Sequence, residues 1–180
     1  MKNRNDILKA KISRYLSKEQ LFKNDEHKKL KKPFLVKARK NFTVANLLFK
    51  ISEQEDLRKV LNLSSDFDMY DWAIIVSYYS MYTSALSALA HLGYKSKSHV
   101  ATIAVLEQDF VKDKKLDTKD IYKLTKAYSL SEQLITKLIQ TKTKRETAQY
   151  DATPSITREM AKTALDDAYE FISKIEEILG

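Results

Sequence analysis

Apolar side chains recur at intervals of three and four residues through most of the chain, which is the spacing of one face of an α-helix. The clearest stripe lies in the last segment, at Ala161, Leu165, Ala168, Ile172, Ile175 and Leu179. The same spacing predicts helices over residues 5–23, from Phe34 through Phe49, over a short turn at 53–63, and after Asp117. A helix capped by Ser98 is predicted with the apolar residues Val100, Ile103, Leu106 and Phe110, and the last helix is predicted to begin at a cap formed by Thr157 or Ser155. No strand-like alternation of apolar and polar residues lasts long enough to predict a sheet.

A longer helix is predicted from Met69–Asp71 to Leu92, and its apolar residues surround it on most sides. A helix with so wide an apolar surface is either the centre of a bundle or part of an oligomer interface. Its many hydroxyl side chains favour a buried bundle helix over a membrane span. Gly93, directly after it, suits the left-handed conformation that often ends a helix.

The composition also favours a helical protein. The 180 residues include only two glycines and two prolines, on which sheets and long loops depend. We therefore predict an all-α protein, an antiparallel up-and-down bundle over residues 34–180 with a basic helical arm and connector over residues 1–33. The lack of cysteine and the scatter of three histidines predict neither a disulfide nor a metal site, and no cofactor is expected.

The N-terminal region carries the excess positive charge. Residues 1–40 contain 14 Lys and Arg against 4 Asp and Glu, whereas residues 41–180 contain 18 against 20. Such a region either neutralises the phosphates of a nucleic acid or is a solvated helix and connector on an otherwise acidic domain. The N-terminus lacks the apolar core of a secretory signal, so a cytoplasmic protein without a membrane partner is expected.

The segment from Lys144 to Asp151 is the strongest candidate for chemistry, because it places Arg145 and Tyr150 near the end of a long amphipathic helix. An arginine stays charged at any working pH, and its planar fork matches the geometry of a phosphate. A tyrosine five positions later reaches nearly the same helix face. The pattern indicates a phosphate-handling site, and the alternative is an ion pair between Arg145 and Glu146 or Asp151.

Four motifs in succession resemble those of one family, the HEPN domains. Residues 78–86 resemble the tyrosine-containing core helix of that family, and residues 93–99 resemble the glycine and Lys-x-His turn that follows it. Residues 145–150 resemble its RxxADY element, and residues 166–172 resemble its acidic final helix. The resemblance covers roughly residues 34–179 and leaves the N-terminal segment outside.

The resemblance implies a helical homodimer and, in many members, a metal-independent endoribonuclease from toxin–antitoxin or defence systems. In those members an arginine holds the scissile phosphate, and a histidine separated from it by four to six residues moves a proton. Arg145 matches the arginine, but the histidine position is Tyr150, as in the RxxADY subgroup. On this basis we expect Arg145, Lys144 and Lys97 to bind RNA or a nucleotide. Any cleavage is expected to depend on Arg145, Tyr150 and His99.

Several alternatives stand beside this interpretation. The chain could be a non-catalytic module that docks a nucleotidyltransferase partner, or a general nucleic-acid binder that works through residues 1–40. His99 could be a structural residue near a helix start, and Tyr150 could be an interface residue. The tyrosines of residues 78–82 are expected in the core and the dimer interface rather than as a platform for stacked bases.

Overall fold

The computed structural model describes residues 4–144 and 156–180, with side chains described for residues 5–136 and 156–180. The α-helices of the described chain are α1 (Arg4–Ser17), α2 (Lys31–Glu53), α3 (Glu55–Val60), α4 (Tyr70–His91), α5 (His99–Leu106), α6 (Thr118–Lys144) and α7 (Arg158–Leu179). The short elements between them are the strands β1 (Leu21–Lys23) and β2 (Tyr94–Ser96), a 3₁₀ helix (Asp25–Leu30) and a π-helical turn (Glu107–Val111). The prediction of an all-α bundle with an additional N-terminal helix is confirmed.

Helix α4 forms the centre of the bundle and packs against α2, α6 and α7. Its alanines and serines are buried, and such small side chains let the neighbouring helices approach closely. The hydroxyl of Ser80 donates to the carbonyl of Ala38 (3.1 Å) and that of Ser87 donates to the carbonyl of Lys31 (2.7 Å), so α2 and α4 are antiparallel. By length and composition α4 could cross a membrane, but 78% of its apolar window is buried inside the fold. Packing within the bundle therefore accounts for its apolar composition.

Helices α6 and α7 form an antiparallel pair against α4. Lys174 of α7 contacts Asp120 near the start of α6 (2.6 Å), and Lys123 of α6 contacts Asp167 of α7 (3.0 Å). The end of α6 and the start of α7 consequently lie at the same end of the bundle. The connection between them, residues 145–155, carries the sequence-predicted motif.

The N-terminal segment packs on the bundle through apolar residues of its own. Leu8 and Ile12 of α1 are buried, and α1 lies against α5 and the π-helical turn. Strand β1 then pairs antiparallel with β2, with Leu21 opposite Ser96. The expectation that the chain contains no strand was wrong in this detail, because a three-residue strand is too short to show an alternating pattern. The domain boundary at residue 33 stays a prediction.

Gly93 ends α4 with a φ of +81°, the left-handed conformation that the sequence predicted for it. Its N–H donates to the carbonyl of Ala90 (2.8 Å), and its carbonyl accepts from the N–H of Asn24 (2.9 Å). A side chain at this position would place its Cβ 3.2 Å from the carbonyl oxygen of Asn24. The glycine thus allows the backbone that follows β1 to lie directly against the end of α4.

Helix α5 is shorter than the helix predicted after Ser98. It ends at Leu106, and the chain continues as the π-helical turn, in which Phe110 is buried. Val100 was predicted to face the core but is exposed, because the small side chains of Ala101 and Ala104 form the packed face instead.

Candidate functional site

The sequence-predicted motif falls on the connection between α6 and α7. Arg145 and Tyr150 lie outside the described residues, and Lys144 is the last residue of α6, with its side chain also outside them. Their roles therefore stay predictions. On the far side of the connection, the hydroxyl of Thr157 accepts from the backbone N–H of Met160 (3.3 Å), and this N-cap of α7 is one of those the sequence predicted.

A polar cluster holds the start of α7 against the end of α2. Arg158 donates from Nε to Oε2 of Glu53 (2.6 Å), and the hydroxyl of Tyr70 donates to Oε1 of the same carboxylate (2.7 Å). The hydrogen bond from Tyr70 lowers the pKa of Glu53, and Arg158 adds to this effect. Burial, followed by the contact with Glu53, raises the pKa of Tyr70 to about 12, so the phenol keeps its proton. Sequence reasoning missed this cluster because Glu53 and Arg158 are 105 positions apart.

A groove of about 270 Å³ lies between α6 and α7, close to the same end of the bundle. Ile74, Leu130 and Met160 give it an apolar lining, and Lys126 and Asp167 add charged groups. Sites for small molecules usually have volumes of about 300–1,000 Å³. The groove is therefore large enough for part of a ligand but small for a whole nucleotide.

His99 lies among aromatic rings at the start of α5. Its ring stacks on that of Tyr128, with centroids 3.9 Å apart and planes 14° apart. The rings of Tyr78, a core residue, and of Tyr82 lie 6.0 and 5.8 Å away. Both nitrogens of His99 are buried without a hydrogen-bond partner in the described chain. Burial lowers the pKa of His99 to about 4, so the imidazole is neutral near pH 7.

The structure does not bring His99 close to the end of α6 within one chain. Tyr128, on which His99 stacks, and Lys144 belong to the same continuous helix. At about 1.5 Å per residue, the stretch of helix from Tyr128 to Lys144 is roughly 24 Å long. A site that combines His99 with Lys144 is therefore not formed by the described part of a single chain.

Lys97, the other predicted phosphate-binding residue, lies just after β2 and is exposed. Its backbone N–H donates to the carbonyl of Gln20 (2.9 Å), and its ammonium lies over the ring of Phe22, 4.7 Å from the centroid. No acidic side chain of the described residues pairs with it. Its charge is thus available to an anionic ligand.

One face of α4 is left uncovered by the other described helices. Trp72 and Tyr79 are 44% and 43% exposed, and Val76 lies between them on the same face. On the neighbouring helix α2, Val44 and Leu47 are exposed at 45% and 52%. The sequence predicted that the tyrosine-rich helix α4 lies in the core and at an interface. The exposed face with Trp72, Val76 and Tyr79 is the part of α4 that does not pack in the core.

Among the described residues, no group of three His, Asp or Glu side chains is arranged to hold a metal ion. Several acidic residues of α6 and α7 are in ion pairs instead. Asp120 contacts Lys174, and Asp167 contacts Lys123.

Two comparisons with known proteins bear on this arrangement. A family model described as the HEPN domain matches residues 34–178, which include the connection between α6 and α7. A curated protein of Methanocaldococcus jannaschii, named "Putative toxin MJ0142", is 27% identical over 112 residues, which cover 62% of this chain and 67% of that protein. The segment before residue 34, including α1 and β1, lies outside the family match.

Proposed function

Because this chain belongs to the HEPN domain family, we propose that it is a toxin-like member that binds RNA through a cleft containing Arg145 and Tyr150. The observation that carries the proposal is the family match itself, which runs through the segment with both residues. The similarity to an archaeal protein named as a toxin supports the toxin-like assignment.

RNA is preferred over a free nucleotide as the ligand for two reasons. The groove between α6 and α7, at about 270 Å³, is smaller than the usual small-molecule site. The excess positive charge is spread over residues 1–40 and is not gathered around that groove. An extended polyanion can use such a spread of charge, whereas a single nucleotide cannot.

In the proposed reaction the 2′-hydroxyl oxygen of the RNA attacks the adjacent phosphorus, and the 5′-oxygen leaves. The attacking hydroxyl loses a proton and the leaving oxygen gains one, so the products are a cyclic phosphate and a free 5′-hydroxyl. Arg145 neutralises charge on the phosphate, and Tyr150 donates the proton to the leaving oxygen. An unperturbed tyrosine has a pKa of about 10, so Tyr150 is suited to the acid step and poorly suited to the base step.

The cleft is proposed to form between two copies of the chain. The uncovered face of α4, with Trp72, Val76 and Tyr79, provides apolar surface for such an interface. In such a dimer, His99 of one chain could transfer a proton at the site formed by Arg145 and Tyr150 of the other chain. His99 would then have to leave its aromatic surroundings to carry a proton, and this makes it the least supported of the three catalytic candidates.

The test is digestion of total RNA in the presence of a chelator by the unaltered protein and its Arg145→Ala and Tyr150→Phe variants. We expect cleavage by the unaltered protein and its loss in Arg145→Ala. The rate of RNA cleavage by Tyr150→Phe should be lower by roughly 10²–10⁴-fold, which is the usual contribution of a general acid. Lys119→Ala, at the opposite end of α6 from the motif, is the control and should cleave normally. Equal activity of the unaltered protein and Arg145→Ala overturns the proposal.

A second candidate function is a non-catalytic module that docks a nucleotidyltransferase. The observation that favours it is Tyr150 in place of the histidine. A tyrosine hydroxyl can accept a nucleotidyl group, and without the histidine the motif lacks a general base for RNA cleavage. Three results together would support this function. They are co-purification of such an enzyme, detection by mass spectrometry of a nucleotide attached to Tyr150, and no RNA cleavage at any pH.

A further inference from the structure

Helix α1 presents a stripe of positive charge on one exposed face. Lys11, Arg14 and Lys18 are spaced by three and four residues, which places them on the same side of the helix. Lys18 follows the last residue of α1, but its N–H still donates to the carbonyl of Arg14 (3.1 Å), so the helical turn continues to it. We call these three residues the α1 stripe.

The charge of the α1 stripe is not compensated by any acid in the described chain. None of its three residues takes part in an ion pair there. Two other cations of the basic N-terminal region differ in this respect, since Lys28 contacts Asp25 (2.8 Å) and Lys29 contacts Glu26 (2.7 Å). The α1 stripe therefore carries positive charge that no acid of the described chain offsets, unlike Lys28 and Lys29.

The α1 stripe is held in a fixed position by the apolar face beside it on the helix. Leu8 and Ile12 are buried there, with Ile12 in the main core. At the end of α1, the N–H of Gln20 donates to the carbonyl of Tyr15 (3.0 Å), and its carbonyl accepts from the N–H of Lys97 (2.9 Å). These contacts make α1 part of the folded body and set its basic end beside β2.

The surface next to Lys18 carries further unpaired cations. Side chains alternate along a strand, so Lys95 and Lys97 point to the same face of the two-stranded sheet. Phe22 lies opposite Lys95 in the register and therefore on that face too. Its ring is partly exposed and lies under the ammonium of Lys97. The α1 stripe and this sheet face together give five cations and one aromatic ring.

We infer that the α1 stripe forms a second RNA-binding surface with Lys95 and with Lys97, which the sequence had grouped with Arg145, and that this surface contacts the phosphate backbone. The inference rests on the proposed function only for the choice of RNA as the polyanion. A membrane surface suits the geometry less well, because a helix lying on a bilayer inserts its apolar face, and the apolar face of α1 is buried in the fold. The α1 stripe lies outside the family match over residues 34–178, whereas Lys95 and Lys97 lie within it.

The experiment compares two triple variants with the same change in net charge. The first is Lys11→Gln, Arg14→Gln and Lys18→Gln, which removes the α1 stripe. The control is Lys28→Gln, Lys29→Gln and Lys59→Gln, whose lysines are already paired with acids. Glutamine is a good helix former and all six positions are exposed, so both proteins should fold, which thermal melting will check.

Binding of a labelled single-stranded RNA is measured by fluorescence anisotropy over a series of KCl concentrations. Each phosphate contact to a single strand contributes about 0.7 to the slope of log affinity against log salt, so removal of the α1 stripe should reduce the slope by about 2. The control should keep the slope of the unaltered protein. An equal change in both triple variants means that only net charge matters and overturns the inference.

The same variants in an Arg145→Ala background separate this inference from the proposed function. A slope that still falls when the α1 stripe is removed supports the second surface, whatever the result for Arg145. RNA binding that depends on Arg145 but not on the stripe refutes the second surface alone. Loss of binding to phosphatidylserine vesicles in the stripe variant, with RNA binding unchanged, would assign the surface to membranes and refute the inference.

Discussion

Among single residues, His99 shows most clearly how the fold sets the chemistry of a side chain. In an unfolded chain its pKa is near the ordinary value of 6.5, whereas burial among tyrosine rings lowers it to about 4 in the fold. Between these two values the unfolded chain binds more protons than the folded one. The free energy of unfolding therefore falls as the pH drops from about 6.5 to 4, by at most about 3 kcal/mol from this residue.

Replacing His99 by Phe should remove that part of the pH dependence, because phenylalanine keeps a ring to stack on Tyr128 and has no proton to gain. Between pH 7 and pH 5 the unaltered protein should lose about 2 kcal/mol more of its free energy of unfolding than His99→Phe does. Urea unfolding at the two pH values measures this difference. The control is His91→Gln at the exposed end of α4, which should keep most of the pH dependence. Equal losses in the unaltered protein and His99→Phe would contradict the burial argument.

The sequence identified His99 as a candidate proton carrier but could not show its surroundings. The Lys-x-His turn is a local pattern, whereas the ring that covers His99 belongs to Tyr128 on another helix. Glu53 and Arg158 were missed for the same reason, since a contact between distant positions leaves no periodic trace in a single sequence. If the protein cleaves RNA, cleavage retained in His99→Phe would make the histidine a structural residue.

At the scale of elements, the N-terminal segment and the end of α4 depend on one another through Gly93. The backbone of Asn24 lies against this glycine, and the pairing of β1 with β2 begins beside this contact, with Lys23 opposite Tyr94. The left-handed conformation is unfavourable for residues with a Cβ by about 1–2 kcal/mol.

Gly93→Ala should therefore lower the free energy of unfolding by about 1–2 kcal/mol, with the contact to Asn24 adding to the strain. Denaturant unfolding measures the loss, and limited proteolysis should show earlier cleavage within the N-terminal segment. Gly180→Ala is a matched control, because Gly180 also has a positive φ, of +72°, but has nothing within 4 Å of an added Cβ. A stable Gly93→Ala protein with unchanged proteolysis would show that the contact does not matter.

The elements that could be predicted are those with a long repeating pattern. Helices α2, α4, α6 and α7 each extend over many turns, so their apolar spacing and caps such as Thr157 were visible in the sequence. Strands of three residues and a single π-helical turn are too short to show a periodic spacing of apolar residues. Their conformation depends on tertiary contacts. Val100 was misplaced because α5, at 8 residues, is too short for its spacing to define one face.

For the whole molecule, the uncovered face of α4 is the feature that bears on assembly. Trp72→Ser combined with Tyr79→Ser removes most of the large apolar surface there and should shift the protein from dimer to monomer. Light scattering coupled to size-exclusion chromatography measures the mass. The matched control is Tyr122→Ser combined with Tyr169→Ser, two exposed tyrosines on other helices (67% and 55%), which should stay dimeric. A monomeric unaltered protein, or a variant that remains a dimer, would contradict the proposed interface.

The family could be recognised from the order of four weak motifs, and the match over residues 34–178 confirms that recognition. The position of the N-terminal segment could not be predicted, because the contacts that hold it to the bundle, such as Asn24 with Gly93 and Gln20 with Lys97, join residues far apart in the sequence.

The pairing of β1 with β2 has a consequence for folding while the protein is being synthesised. A ribosome completes β1 at Lys23 long before Tyr94, the first residue of β2, is added. At roughly 5–20 residues per second, this delay lasts about 4–14 s. Throughout that time β1 lacks its partner strand, so this segment offers an unpaired edge and the apolar side chain of Leu21 to a nascent-chain chaperone.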